Sequence, residues 1–387
     1  MDHSRINHAQ PDSRQGVLVA MSGGVDSSLA AALLLERGHR VTGVFMGLHA
    51  SGPDASPGCG SPQDAADARR VAAHLGIDLF VLDLAQQFEP IIEHFVREYE
   101  NGRTPNPCIL CNARLKFGRL IEHADSLGVR YVATGHYARI DERPGLSRGT
   151  SRGKDQSYAL FGMSRETLGR VLLPIGEFAD KTAVRAAARE RNLPTHDKPD
   201  SQDICFVPGG DYTALLRLRV PAALTPGEVV DSDGNVLGRH DGYARFTIGQ
   251  RRGVRIAAKE PLYVTEIDPA TARVTLGPRE PLLRRRLRAA DANWHVDVDR
   301  LGANVTRASR PRGGSCDGGL TIDTPTFEAM VQIRYNHAGQ PARVRLTGPD
   351  TFEVEFDTPI AAITPGQAAV VYANDRLLGG GWIERAM

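Results

Sequence analysis

Gly16-Val-Leu-Val-Ala-Met-Ser-Gly-Gly-Val-Asp-Ser-Ser28 is the stretch from which the fold is read, and it runs on into Leu29-Ala-Ala-Ala-Leu-Leu-Leu-Glu-Arg-Gly38. Val17, Leu18 and Val19 are apolar at consecutive positions, as in a strand covered on both faces of a parallel sheet. Ser22-Gly-Gly-Val-Asp-Ser27 is a turn of small residues. From about Ser27 an Ala/Leu run predicts a helix, with Gly38 where a C-terminal cap belongs. Strand, glycine turn and helix start together make an anion site. Backbone N–H groups point outward, the helix dipole adds partial positive charge, and the glycines admit a phosphate close to the backbone.

The loop lacks the Gly-Lys-Ser/Thr ending of the Walker loop of kinases and GTPases. It also lacks the Gly-x-Gly-x-x-Gly spacing of a dinucleotide fold. Ser-Gly-Gly-x-Asp-Ser after a strand instead resembles the pyrophosphate-binding loop of ATP pyrophosphatases, enzymes that transfer AMP and release pyrophosphate. A glycine-rich turn with no ligand is the plain alternative.

At 387 residues the chain exceeds what one core usually serves, so two or three domains are expected. No run approaches the roughly 20 apolar residues of a membrane span. Met1 to Gln15 is polar, without the apolar centre of a signal peptide, and reads as a disordered tail. Five cysteines, an odd number in a long chain, argue against a disulfide framework and for the cytoplasm. A net charge of +1 gives no general affinity for polyanions, so any nucleic-acid binding must come from local patches.

Along the chain, Arg40 to Met46 reads as a second strand and Gly47 to Pro62 as a Gly/Pro/Ser loop containing Cys59. Gln63 to Leu75 has helical spacing, Leu79 to Asp83 is a third strand, and a helix from about Phe88 to Tyr99 leads to Thr104-Pro-Asn-Pro107, an extended turn. Cys108-Ile-Leu-Cys-Asn112 follows, then a basic helical stretch from Ala113 to Ala124, then a fourth strand from Arg130 into Thr134-Gly-His136. Strands alternating with helices predict an α/β fold with a doubly wound parallel sheet, whose ligands sit at the carboxyl ends of strands. Ser27, Met46, Cys108 and His136 all follow strands or begin turns in this reading. Arg143 to Gly153 reads as a surface loop, Thr182 to Arg191 as a helix and Thr195 to Phe206 as irregular. From about Pro221 strand–turn–strand patterns take over, as at Val229-Val-Asp-Ser-Asp-Gly-Asn-Val-Leu237, so a small β domain and then a barrel are expected. Ala303 to Pro325, rich in Arg, Gly and Ser and holding Cys316, reads as an exposed loop. The expected divisions are a tail (1–15), a catalytic domain (16–220), a small central domain (221–283) and a C-terminal β-barrel (284–387).

Cys108, Cys111 and Cys205 have several readings. Zinc wants four ligands, and no second Cys-x-x-Cys or close His pair supplies the rest. Three thiolates suit a [4Fe–4S] cluster with one iron open. Sulfur catalysis is the third, one cysteine carrying a persulfide and another acting as nucleophile or resolving thiol. Three ordinary half-buried cysteines are the fourth.

The Ser22–Ser27 loop, Thr104-Pro-Asn-Pro-Cys-Ile-Leu-Cys-Asn112, Ala133-Thr-Gly-His-Tyr137, Lys154-Asp-Gln-Ser-Tyr158 and Ser201-Gln-Asp-Ile-Cys-Phe206 occur in this order. With Gly249-Gln-Arg-Arg-Gly253 and Ile333-Arg-Tyr335, the chain from about Gly16 onward closely resembles the tRNA-specific 2-thiouridylases. The resemblance implies an ATP-pyrophosphatase domain, a central domain and a β-barrel. It implies replacement by sulfur of the C2 oxygen of the wobble uridine in tRNAs for Lys, Glu and Gln.

By the same resemblance, Ala20, Met21, Ser22, Gly23, Gly24, Val25, Asp26 and Ser27, with Met46 and Gly135, line the ATP site, and Asp26 is a candidate for ordering Mg²⁺. Cys111 matches the nucleophile and Cys205 the persulfide carrier, the two ending the cycle as a disulfide. Asn106, Pro107 and Cys108 fall at the target base. His136, Lys154, Asp155, Gln156, Arg334, Tyr335 and Gln367 fall against the tRNA, whose wobble base must be turned out of its stack. The basic stretches Arg114–Arg119, Arg251-Arg252 and Arg284–Arg288 are candidates for phosphate, with a solvated helix face or loop as the alternative for each. Many members carry Asp at position 108; with Cys there, an oxygen-sensitive [4Fe–4S] cluster on Cys108, Cys111 and Cys205 stands beside the persulfide route. A cysteine desulfurase or sulfur-relay protein is implied as donor. The competing readings are another ATP pyrophosphatase (4-thiouridine synthase, lysidine synthetase or argininosuccinate synthetase type), or a non-catalytic tRNA-binding or sulfur-carrier protein.

Overall fold

A computed structural model describes residues 15–48, 61–141, 145–200, 204–207, 210–298 and 325–387. Cys59, Ser201 to Asp203 and Cys316 lie outside the described residues, as do nearly all of the expected tail and of the Ala303–Pro325 stretch. The chain divides into two compact units, the first formed by residues 1–93, 107–212 and 375–377, the second by 94–106, 213–374 and 378–387.

The first unit is built on a five-stranded parallel sheet. Its chain order is β1 (Gly16–Ala20), α1 (Val25–Glu36), β2 (Arg40–Gly47), α2 (Pro62–Leu75), β3 (Leu79–Asp83), the part of α3 (Ala85–Glu100) up to residue 93, and β4 (Tyr131–Ala133), with a short strand at Val171–Leu172. The strands lie in the order β3-β2-β1-β4 and then Val171–Leu172. β1 is therefore central, paired with β2 (Val17↔Val41) and with β4 (Val17↔Tyr131), and Leu18 and Val19 are fully buried. That is why its apolar residues run consecutively instead of alternating.

α1 is apolar all round for a related reason. One side packs with Val17, Val19, Ala68 and Val71, while Val25, Leu29 and Ala32 pack with Ile175, Val184 and Ala188. A helix covered on both sides has no polar face to keep. α2 begins where Ser61 Oγ accepts from Asp64 N at 3.1 Å, has Pro62 in its first turn, and ends at Gly76 in the left-handed region. These are the start and stop signals expected of a helix.

Two expectations change here. Cys108 follows no strand. Pro107–Leu110 is α-helical, Cys111–Arg119 is π-helical and Leu120–Ser126 is α-helical again, so the cysteine pair lies at the start of a helix. Nor is the described part of the Arg143–Gly153 segment only a surface loop. Leu146–Arg148 is a strand paired with Ala138–Ile140, with Leu146 and Ser147 buried. Polar and glycine-rich composition concealed it because only three residues pair.

In the second unit, Gly227–Val230, Val236–His240, Tyr263–Asp268 and Arg273–Gly277 form a four-stranded sheet. Six further strands follow: Leu283–Trp294, Thr326–Gln332, Gln340–Leu346, Phe352–Ala361, Ala368–Ala373 and Arg376–Ala386. Pairing of the first with both the fourth (Leu287↔Val354) and the last (Leu287↔Ala386) closes them into a barrel. Its interior is filled by Phe327, Val344, Phe352, Phe356 and Val371. Closure leaves no open sheet edge in the ring.

Candidate active site

At the carboxyl end of β1 the chain turns through Ser22 to Ser27 into α1. Met21 N donates to Val44 O at 2.8 Å, which keeps the strand paired until the turn begins. Gly23 has φ +72°, and a Cβ there would strike the Asp64 backbone carbonyl, so only glycine fits. Ser22 N donates to Ser27 Oγ at 3.1 Å and Ser27 Oγ lies 3.2 Å from Gly24 O, a closed turn. Gly24 caps α1 without any side-chain hydrogen bond to the helix. Gly135, from the turn after β4, meets the same first turn: a Cβ would lie 2.6 Å from Asp26 C and from Ser27 N. The elements therefore bring Gly135 to the glycine loop. This arrangement of loop N–H groups and helix start suits phosphate.

The loop is surrounded by lysines that local sequence patterns did not single out. Lys198 Nζ reaches Gly23 O (3.1 Å), Asp64 Oδ1 (2.6 Å) and Asp67 Oδ2 (2.5 Å). Burial opposes its charge, but the two carboxylates outweigh burial and raise its pKa. Lys181 Nζ lies 2.8 Å from both oxygens of Asp26 and 2.8 Å from Asp200 Oδ1. Asp200 also takes Lys154 (3.0 Å) and Arg185 (3.3 Å); burial pushes its pKa up, and the lysine hydrogen bonds bring it below the ordinary value. Tyr137 OH donates to Asp26 Oδ1 at 2.8 Å, and burial, then the Asp26 charge, raise the phenol's pKa further. Asp26 thus holds an ammonium and a phenol on its carboxylate, an arrangement that does not fit a Mg²⁺ ligand.

Cys111 and Cys205 are drawn to one place. Cys111 is buried with Leu48, Leu84, Phe88, Ile91 and Leu115, and Cys205, Phe206 and Met46 pack against that same cluster. The Phe88 and Phe206 rings meet edge-on at 5.5 Å, fastening the Cys205 end of its segment to α3. Next to Cys111, Asn112 donates to Ala159 O at 3.0 Å from a buried position. Cys108 is exposed and outside this cluster. The change from α to π winding falls between the two cysteines of the pair, and π turns within helices recur at functional sites. Among the described residues, which include Cys108, Cys111 and Cys205, no group of His, Cys, Asp or Glu is arranged to hold a metal. The three thiols do not fit a cluster in this arrangement.

The residues expected against tRNA behave differently from one another. The Asp155 carboxylate is nearly covered, accepting from Arg148 (2.9 Å), Gly149 N (3.0 Å) and Ser157 N (3.1 Å), and Gln156 Oε1 accepts from Tyr137 N (2.9 Å). Both organise their own loop. In the second unit Gln367 Nε2 donates to Thr104 O at 2.8 Å and so braces the turn that carries Asn106. Gln332, which is buried, donates to Arg334 O (3.1 Å) and Tyr335 O (2.9 Å), leaving the Arg334 and Tyr335 side chains exposed. Sequence reading passed over Gln332.

His136 lies 2.7 Å from Thr134 Oγ1 through Nδ1 and beside the Phe117 ring. Burial, then the charge of Lys116, lower its pKa to about 3. It is therefore a neutral ring at neutral pH. Between that folded value and about 6.5 the unfolded chain binds the extra proton, so stability falls as pH drops through this window and is flat above it. A His136→Gln variant should lose that part of the acid slope, up to about 1.4 kcal/mol per pH unit. Urea melts from about pH 5 to 8 measure it; an unaltered slope contradicts the assignment.

Family models match three stretches: a tRNA methyl transferase HUP domain at 15–209, a tRNA methyl transferase PRC-barrel domain at 215–278, and an aminomethyltransferase β-barrel domain at 284–383. The tRNA-specific 2-thiouridylase MnmA of Carboxydothermus hydrogenoformans is 45% identical, covering 97% of this chain and 99% of its own. That of Syntrophotalea carbinolica is 45% identical over 96% and 99%. That of Rhodopirellula baltica is 43% identical over 96% of each. Identity sustained from the glycine loop to the end of the barrel means that the chain belongs to the tRNA-specific 2-thiouridylases, a family of tRNA sulfurtransferases.

Proposed function

We propose that this enzyme converts the wobble uridine (U34) of tRNAs for Lys, Glu and Gln to 2-thiouridine in the cytoplasm, using ATP and a Cys205 persulfide. A uracil carbonyl oxygen is a poor leaving group. The C2 oxygen therefore first attacks the α-phosphorus of ATP, and pyrophosphate leaves from the Ser22–Ser27 loop, with Met46 and Gly135 completing the nucleotide site. The terminal sulfur of the Cys205 persulfide then attacks C2. The Cys111 thiolate attacks the Cys205 sulfur, giving a Cys111–Cys205 disulfide and leaving sulfur on C2, and AMP departs with the original oxygen. Two electrons from a reductant reset the thiols, and a cysteine desulfurase or relay protein reloads Cys205.

One observation carries this reading: Cys111 and Cys205 share one apolar cluster with Met46, while Cys108 stands outside it. The disulfide-closing sequence needs two thiols on the same side of the chemistry, and a shared cluster supports that reading. A [4Fe–4S] cluster would require the third as well. In the first unit Pro107, Cys108, His136 and Lys154 are assigned to the target base and its stem. In the second, Asn106 is assigned to the target base, and Arg334 and Tyr335, carried on the 284–387 barrel, to the tRNA.

The test is direct. Protein, ATP, a sulfur donor and each of the three tRNAs are incubated, the RNA is digested, and nucleosides are separated. The expected product is 2-thiouridine with stoichiometric pyrophosphate. Absence of both, or 4-thiouridine instead, rejects the proposal.

A further inference from the structure

The chain's other basic stretches are partly neutralised. Arg119 pairs with Glu122 at 2.6 Å, Arg286 with Glu353 at 3.3 Å and Arg288 with Glu384 at 2.8 Å. Arg251, Arg252, Arg255 and Lys259 are all exposed, and none of them forms an ion pair among the described residues. In a chain of net charge +1, four uncompensated cations within nine positions make a local positive field.

They are also held on a fixed frame. Gln250 Oε1 accepts from Thr247 N (3.0 Å) and its Nε2 donates to Arg252 O (3.0 Å). Gly249 N donates to Val264 O (2.8 Å) and Val264 N to Gln250 O (2.9 Å), tying the loop to the strand Tyr263–Asp268. Arg255 has φ +60°, a left-handed backbone that costs a non-glycine residue about 1–2 kcal/mol. That conformation sets Arg255 beside a cleft of 370 Å³ lined also by Arg251, Lys259 and the single carboxylate Glu260. No aromatic residue lines it, so there is no platform on which a base would stack.

We propose that Arg251, Arg255 and Lys259 form a phosphate cleft that binds the sugar–phosphate backbone of the tRNA substrate, apart from the residues assigned to the base. The proposal rests on tRNA as substrate. Cations without base-reading partners supply affinity and register, not sequence choice.

The experiment is tRNA binding by fluorescence anisotropy across about 50–200 mM KCl. For Arg251→Ala/Arg255→Ala/Lys259→Ala, affinity should fall at least about tenfold, equally for all tRNAs, and the log–log salt slope should shrink by about 2. Should that variant not fold, Lys259→Ala alone should reduce the slope by about 0.7–0.9. Arg251→Lys/Arg255→Lys should keep the slope, which a folding defect would not. Unchanged affinity and slope overturn the proposal. Variant-sensitive binding of tripolyphosphate with tRNA binding intact also overturns it, marking a site for small anions. A wild-type protein that binds no tRNA overturns the functional reading as well.

Discussion

Cys111→Ser and Cys205→Ser should each lower 2-thiouridine formation by at least about three orders of magnitude, the scale seen when a covalent nucleophile is removed. tRNA and ATP should still bind, because neither thiol lies in the glycine loop or among the exposed Arg334 and Tyr335. Serine preserves the volume and removes the ability to carry or attack sulfur. Cys108→Ser is the discriminating variant. Cys108 is exposed and outside the cluster that Cys111 and Cys205 share, so its loss should reduce the rate by no more than about tenfold. A three-thiolate cluster would make all three substitutions equally severe. Nucleoside analysis under single-turnover conditions reads the difference, and equal loss at Cys108 would sink the two-thiol mechanism. A mass shift for a Cys111–Cys205 disulfide after one turnover is the second readout.

The parallel sheet, the phosphate turn and the barrel were legible because each is written locally. Val17–Val19 announces a central strand, Ser22–Ser27 a small-residue turn, and the strand–turn–strand repeats after Pro221 a β region. The cysteine chemistry was legible as a set of alternatives, since spacing fixes which thiols are close along the chain, not which share a pocket. What sequence could not supply is pairing over distance. Lys198 reaches carboxylates 131 and 134 positions away, and Lys181 reaches one 155 away. Nothing in the composition of Thr195 to Asp200, or of the helix start at Lys181, marks those lysines as belonging to the glycine loop. Gln332 went the same way, and Gln367 was named only for the tRNA: each braces a backbone turn, and a bracing amide has no motif. The π winding at Cys111 has no local signature either, and it separates an exposed Cys108 from a buried Cys111.

Lys198→Met should weaken ATP binding at least tenfold, about 1.4 kcal/mol. The ammonium is the donor to Gly23 O, the carbonyl of the one left-handed residue in the turn, and it ties that turn to the first turns of α2 through Asp64 and Asp67. Methionine keeps the length of the side chain but donates nothing. Asp67 is 5% exposed and keeps only Arg70 and Gln63 as partners, so one buried carboxylate oxygen is left without its cation. Removing one member of a fully buried pair costs about 3–5 kcal/mol. Lys198 is 26% exposed and water reaches it, so about 2 kcal/mol of stability is the expected loss here. The two effects separate in a double variant. Adding Asp67→Asn removes the stranded charge and should restore most of the stability, yet it does not return a donor to Gly23, so ATP affinity should stay low. Calorimetric ATP titration and urea melts of the single and double variants measure both. Wild-type ATP affinity in Lys198→Met would show that the loop holds its shape without the lysine, and recovery of affinity in the double variant would show that Lys198 acts on ATP only through stability.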